Sequence, residues 1–181
     1  MTRRFEEGSL VLEFEDLSRA RRWDTHQAYI HGLGKIAPGT KAVDICLWTG
    51  AGAAVLEVTN YGTARIPFKD LAVEVASKTR DTIASMAWAC VREISDEPDY
   101  ERFVRRFIDC GMGAKLEVVV WLEADRPLDA VDAHVFADEI RAQLKPWIYA
   151  RVAVTNRVIQ TDPKRAVAWL RVTSKNRRDL R

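Results

Sequence analysis

Residues 41–61 read KAVDICLWTGAGAAVLEVTNY, and the rest of the chain is organised around them. Two runs, 42–48 and 53–59, are rich in β-branched and apolar residues, with Thr49-Gly50-Ala51-Gly52 between them. That pattern predicts two strands joined by a tight turn. Each run holds one acid among apolar neighbours, Asp44 in the first and Glu57 in the second. A carboxylate is costly to bury unless something pairs with it. On neighbouring strands of a hairpin, two carboxylates can face one another and share a divalent cation. The alternative places each acid on the solvent face of a half-buried hairpin. The shared cation requires both carboxylates on one face of the sheet.

A connection over 62–67 leads into an expected long helix over 69–94. Leu71, Val75, Ile83, Met86, Ala87, Cys90, Val91 and Ile94 recur at helical spacing and are expected to form its buried stripe. Glu74, Lys78 and Asp81 follow one another at i, i+4 and i+7, on one face beside that stripe. They read either as an exposed ion-pair ladder or as a face that leans Lys78 over the hairpin carboxylates.

Upstream, Leu10, Leu12 and Phe14 alternate and predict a strand over 9–14. Residues 16–31 are ambiguous: Leu17, Ala20 and Trp23 suit a first helix, but Asp24-Thr25 interrupts the pattern. His26 and His31 on this stretch are expected at the surface. Gly32, Gly34, Pro38 and Gly39 mark a loop. Downstream, Asp96-Glu97-Pro98-Asp99 signals a turn and helix start. Tyr100, Phe103, Val104, Phe107 and Ile108 then make a short amphipathic helix, ended by Gly111 and Gly113. Residues 115–123, KLEVVVWLE, are nearly continuous apolar and are expected to be a buried central strand.

A loop over 127–131 precedes a helix over 133–148, with Val135, Phe136, Ile140 and Leu144 inward and Pro146 near its end. Strands are expected at 151–155 and 166–172, and a mobile basic tail over 173–181. Trp48, Trp88, Trp121 and Trp169 each sit in an apolar run and are expected in the core or on sheet faces. The order predicts an α/β chain with a single mixed central β-sheet flanked by helices, in one domain spanning 1–181.

Composition narrows the functional classes. With 181 residues, 48% hydrophobic and 30% charged, the chain can bury a proper core and is globular. It has no apolar run of transmembrane length and no leading segment of signal-peptide type, so no membrane association is expected. Cys46, Cys90 and Cys110 fit neither a zinc spacing nor a disulfide framework, which points to a reducing, cytoplasmic setting. Net charge is only +2, yet basic residues cluster at Arg19, Arg21 and Arg22, at Arg105 and Arg106, and in the C-terminal tail. Such patches can hold phosphates without a basic total. Phosphate-loop and dinucleotide fingerprints are absent from the sequence. Both a monomer and a homodimer stay open.

The hairpin resembles the core of the PD-(D/E)XK nuclease superfamily, which carries an Asp at the start of one strand and Glu-x-Lys on the next. Asp44 in Lys-Ala-Val-Asp matches the first acid, with Val43 at the motif's Pro, and Glu57 matches the second. The motif lysine falls at position 59, where this chain has Thr59. Residues 75–82, VASKTRDT, resemble a helix found in a group of bacterial superfamily proteins of unassigned role. Their pattern is Lys-Ala-Val-Asp, Glu-Val-Lys-Asp-Tyr, then Val-Ala-x-Lys-x-Arg-Asp-Thr. The resemblance is motif-specific over about residues 41–90 and architectural beyond.

The resemblance implies a restriction-endonuclease-like core and a Mg²⁺- or Mn²⁺-dependent hydrolase that cleaves phosphodiester bonds in nucleic acid, by analogy DNA. Its ligands would be Asp44, Glu57 and the main-chain carbonyl of Val58. It also implies a helix before the hairpin that often brings an acid near the metal; Glu15, Asp16 and Asp24 are the candidates. A lysine beside the acids would orient the attacking water and offset charge. The hydroxyl of Thr59 carries no positive charge and cannot take that part. Lys78, on a helix as replacement lysines in the superfamily are, is the first candidate and Lys41 the second, with Glu74 and Asp81 in support. The alternative is a nuclease fold that has lost catalysis and binds nucleic acid or protein.

Overall fold

The computed structural model describes residues 3–14, 20–49, 52–64, 66–92, 100–110 and 116–174. Its strands are β1 (Arg3–Glu7), β2 (Leu10–Phe14), β3 (Ala20–Arg22), β4 (Ile45–Thr49), β5 (Gly52–Asn60), β6 (Leu116–Glu123), β7 (Ala150–Thr155) and β8 (Leu170–Ser174). A π-helical turn (Tyr29–Leu33) runs into the short α1 (Gly34–Ile36). The long helices are α2 (Phe68–Arg92), α3 (Tyr100–Cys110) and α4 (Ala130–Leu144). None of the described helices is long and apolar enough to cross a membrane.

Alternation along the strands builds the layers. On β6, Leu116, Val118, Val120 and Leu122 join one apolar cluster, while Val119 and Trp121 join another. Continuous apolarity is what a strand buried on both faces needs. The same split runs through the hairpin. Cys46 and Val55 face the first cluster, which also takes in Val75, Met86, Phe103 and Phe136 from α2, α3 and α4. Ile45, Leu47, Ala54 and Leu56 face the second, which includes Leu10, Leu12, Phe14 and Leu170. Helices therefore cover one face of the sheet and a second sheet covers the other.

The larger sheet runs β3-β4-β5-β6-β7. Its β3-β4-β5 part is antiparallel and its β5-β6-β7 part parallel, so it is mixed, as expected. The smaller sheet, β1-β2-β8, is antiparallel. The expected single sheet flanked by helices is thus corrected to two sheets, with the described helices on one face of the larger one. The strand expected over 166–172 is β8, and it leaves the central sheet to pair with β2. It also takes in Thr173 and Ser174, which pair with Val11 and Leu10, so the tail begins later than expected. Residues 175–181 lie outside the described residues.

Other expectations are corrected in detail. Over 16–31, the described residues hold the short strand β3 and a turn instead of a helix up to His26. The edge of β4 offers main-chain partners there: Trp23 N–H donates to Asp44 O at 2.9 Å, continuing the β3–β4 pairing. His26 is buried, stacked on Trp23 at 5.1 Å between ring centroids, whereas His31 is exposed as expected.

On α2, the buried stripe runs through Leu71, Val75, Thr79, Thr82, Met86 and Ala89. Ala87 and Val91 are exposed, because at about 100° per residue they lie far round the helix from Val75. Ile94 lies outside the described residues. On α4, Val135 is exposed, not inward, and the helix starts earlier than expected because Asp129 caps it, accepting from Val131 N–H and Asp132 N–H at 2.8 Å each. Trp121 is fully buried; Trp48, Trp88 and Trp169 are half-buried. Among the described residues no disulfide involves Cys46 or Cys90. The signals at 93–99 and 111–115, and the side chain of Cys110, lie outside the described residues.

Candidate functional site

The hairpin register aligns the two acids. Ile45 pairs with Leu56 and Cys46 with Val55, so one step further brings Asp44 level with Glu57. Strand side chains alternate with period two, and Cys46 and Val55 face α2. Asp44 and Glu57 therefore share the α2 face, the condition that the shared-cation reading sets. Asp44 lies just outside the strand, where its carboxylate caps the ladder: Oδ2 accepts from Val58 N–H at 2.7 Å. It is thus the N–H of Val58 that the structure ties to Asp44.

Lys78 arrives from α2. Its ammonium pairs with Glu57 Oε1, and it lies 3.6 Å from Glu74 Oε1, one turn back on the helix. Glu57 is 5% exposed, and its Oε2 is buried with no hydrogen-bond partner among the described residues. One oxygen of that carboxylate is thus paired with Lys78, and the other has no partner among the described residues. Thr59 is half-buried at the motif-lysine position.

The helix also fixes the segment that presents Asp44. Asp81 is buried and its Oδ2 accepts from Lys41 N–H at 3.3 Å, while Thr82 Oγ1 accepts from Val43 N–H at 3.0 Å. Trp23 Nε1–H donates to Ser85 Oγ at 2.7 Å, tying the β3 end to the same helix. The i, i+4, i+7 trio is therefore not one ladder. Glu74 and Lys78 pair with each other, whereas Asp81 pairs with Arg80 and holds backbone. Lys41 reaches Glu74 with its ammonium at 3.1 Å.

Of the three acids proposed upstream, Glu15 and Asp16 lie outside the described residues. Asp24 is close enough to act on the charge of Asp44, as is Glu7 on β1. Arg22 pairs with Glu7 and lies 3.7 Å from Asp24. Glu7 and Arg22 carry no motif signal, and only the tertiary fold brings them here; Thr82 is the last residue of the 75–82 motif, though the motif does not say that it holds Val43. Among the described residues no group of three or more His, Cys, Asp or Glu is arranged to hold a metal ion. A cavity of about 1190 Å³ opens between the starts of α2 and α4, lined by residues such as Phe68, Asp125 and Phe136, and none of Asp44, Glu57 or Lys78 lines it.

Electrostatics follow from burial. Burial pushes Asp44 up to about 6, against the Val58 hydrogen bond and Lys78, with Glu7 and Asp24 adding to the rise. Burial pushes Glu57 up to about 8, with Asp44 adding to it and Lys78 opposing. Burial alone would lower Lys78, but Glu57 outweighs it and the ammonium is held above its ordinary value. Two buried carboxylates raise one another when nothing between them is positive enough. Tyr61, whose main-chain N–H donates to Glu123 O at 2.9 Å, feels Glu74, Thr59 and Lys78 at the rim; burial pushes its phenol up.

No family model, curated protein or solved structure matches this chain.

Proposed function

We propose that the chain is a divalent-metal-dependent phosphodiesterase of nuclease type, acting on DNA, with Asp44 and Glu57 as the carboxylates that hold the metal. One observation carries the reading: Glu57 Oε2 is buried, with no partner among the described residues, on the face that Asp44 shares. The residues fit a hard cation. Mg²⁺ is commonly bound through one or two carboxylates and keeps its other positions for water and phosphate oxygens, so a pair suffices. Burial raises both Asp44 and Glu57, and a cation held between them would favour their charged forms. When bound, Mg²⁺ or Mn²⁺ lowers the pKa of a coordinated water and neutralises charge on the phosphate.

The chain's own residues do the rest. Asp44 and Glu57 fix the position of the site at the end of the hairpin. Asp81 and Thr82 hold the backbone before Asp44, so the first carboxylate approaches from a fixed direction. Lys78 supplies from α2 the positive charge that Thr59 cannot supply from β5. In hydrolysis a water oxygen bonds to phosphorus as the water gives up a proton to solvent, the bond to the leaving oxygen breaks and that oxygen takes a proton from solvent, and the Lys78 ammonium offsets charge on the phosphate oxygens.

The second reading, a lapsed nuclease that retains binding, is favoured by a specific observation. The Lys78 ammonium is engaged by two carboxylates, Glu57 and Glu74. Incubation of supercoiled plasmid DNA with the protein in Mg²⁺ or Mn²⁺ separates the two. Nicking that is lost in Asp44→Asn supports the nuclease; intact plasmid under both metals with retained DNA binding supports the lapsed form.

A further inference from the structure

Two lysines from different parts of the fold converge on one oxygen. Glu74 Oε1 lies 3.1 Å from Lys41 Nζ and 3.6 Å from Lys78 Nζ. Lys41 stands three residues before Asp44, on backbone that Asp81 holds. Lys78 comes from α2 and also touches Glu57. Exposure grades outward: the side chain of Lys78 is 18% exposed, Glu74 40% and Lys41 60%. A single carboxylate oxygen thus sits between two ammonium groups at the mouth of the carboxylate site.

Half-exposed ion pairs between long side chains are individually weak. An incoming anion with two acceptor oxygens can take over both ammonium groups while Glu74 turns to solvent. A phosphodiester has that form: one negative charge and two non-bridging oxygens. We propose that Lys41 and Lys78 form a seat for one phosphate of a nucleic-acid strand, and that Glu74 is its built-in occupant, displaced when the strand arrives. The choice of a strand rests on the nuclease reading; the seat itself needs neither metal nor turnover. Lys41 sets the strand's position at the rim, while Lys78 bridges the seat to the carboxylates.

Loss of any acid from this face would favour a polyanion through the general field. Asp70, exposed and one turn before Glu74 on α2, supplies the control. The test is binding of a short fluorescent single-stranded DNA to the full chain in metal-free buffer, followed by anisotropy. Glu74→Gln is expected to bind about fivefold more tightly than the unaltered protein, the scale of one or two exposed ion pairs. Asp70→Asn is expected to change affinity by less than about twofold. Adding Lys41→Ala to Glu74→Gln should remove the gain. The salt dependence should steepen in Glu74→Gln by about 0.7 in the log–log slope for each lysine newly engaged.

An equal gain from Asp70→Asn would mean a field effect only and would overturn the seat. So would a gain that survives Lys41→Ala, or no binding by any of the proteins. Inorganic phosphate competing as well, phosphate for phosphate, as unlabelled strand would overturn the assignment to nucleic acid. A chain that shows the expected pattern but never cuts DNA refutes the nuclease and leaves the seat standing.

Discussion

Lys78 holds Glu57 by one carboxylate oxygen and leaves the other, Oε2, buried without a partner among the described residues. On the nuclease reading, Lys78 from α2 takes the place of the lysine that β5 lacks at Thr59. If Lys78 does that work, Lys78→Ala should lower Mg²⁺-dependent DNA cleavage by about 10²-fold or more, the scale on which one preorganised charge-stabilising group acts. Circular dichroism should show the fold retained, and Thr59→Lys in that background should restore part of the rate. An active protein whose Lys78→Ala variant keeps full rate would end the proposal.

The raised carboxylates predict an unusual pH dependence without metal. Asp44 at about 6 and Glu57 at about 8 both lie above their ordinary values of 3.8 and 4.5. A carboxyl raised by folding binds its proton more tightly in the native state. Its contribution is fully present below the ordinary value and is lost as pH rises through the raised one. Urea unfolding in chelator should therefore show the unaltered protein losing roughly 3–5 kcal/mol more than Glu57→Gln between pH 4 and pH 8.5, Asp44 being common to both. A difference between the two proteins that does not change with pH would contradict the assignment.

Thr82 offers a test of how α2 presents Asp44. Thr82→Val keeps the shape and removes the acceptor for Val43 N–H, a bond inside the core. The unsatisfied amide should cost about 1–3 kcal/mol in urea unfolding. Divalent-metal affinity should fall as well, because the Asp44 segment loses one of its holds. An unchanged unfolding midpoint and unchanged metal affinity would show that Thr82 is a bystander.

The second sheet should be part of the cooperative fold. Phe14 on β2 is fully buried against the face of the larger sheet and stacks near Trp169. Phe14→Ala should cost about 3–5 kcal/mol in urea unfolding. A loss below about 1 kcal/mol would mean that β1-β2-β8 contributes little to the core.

Local pattern made much of this legible. The hairpin, α2 and the doubly buried β6 follow from periodicity and turn residues, because those signals act over a few residues. That Asp44 and Glu57 could share a face was also legible, since side chains alternate with period two across a tight turn, but whether that face met α2 or solvent was not. What local pattern does not encode is which distant strand covers an apolar face. Residues 9–14 and 166–172 each read as strands, but nothing in either names the other as its partner. The same holds for Glu7 and Arg22, ordinary residues whose roles come from where other elements place them. On α2, Val91 reads as core by apolarity alone; helix phase relative to Val75 puts it in water.

The central claim is that Asp44 and Glu57 jointly hold one divalent cation, and Mn²⁺ titration calorimetry at pH 8.5 tests it most directly. At that pH both carboxyls are ionised at little cost in protonation. The account predicts one Mn²⁺ per chain, with affinity reduced at least about tenfold in Asp44→Asn and in Glu57→Gln alike. No Mn²⁺ binding, or binding that survives both substitutions unchanged, would contradict it.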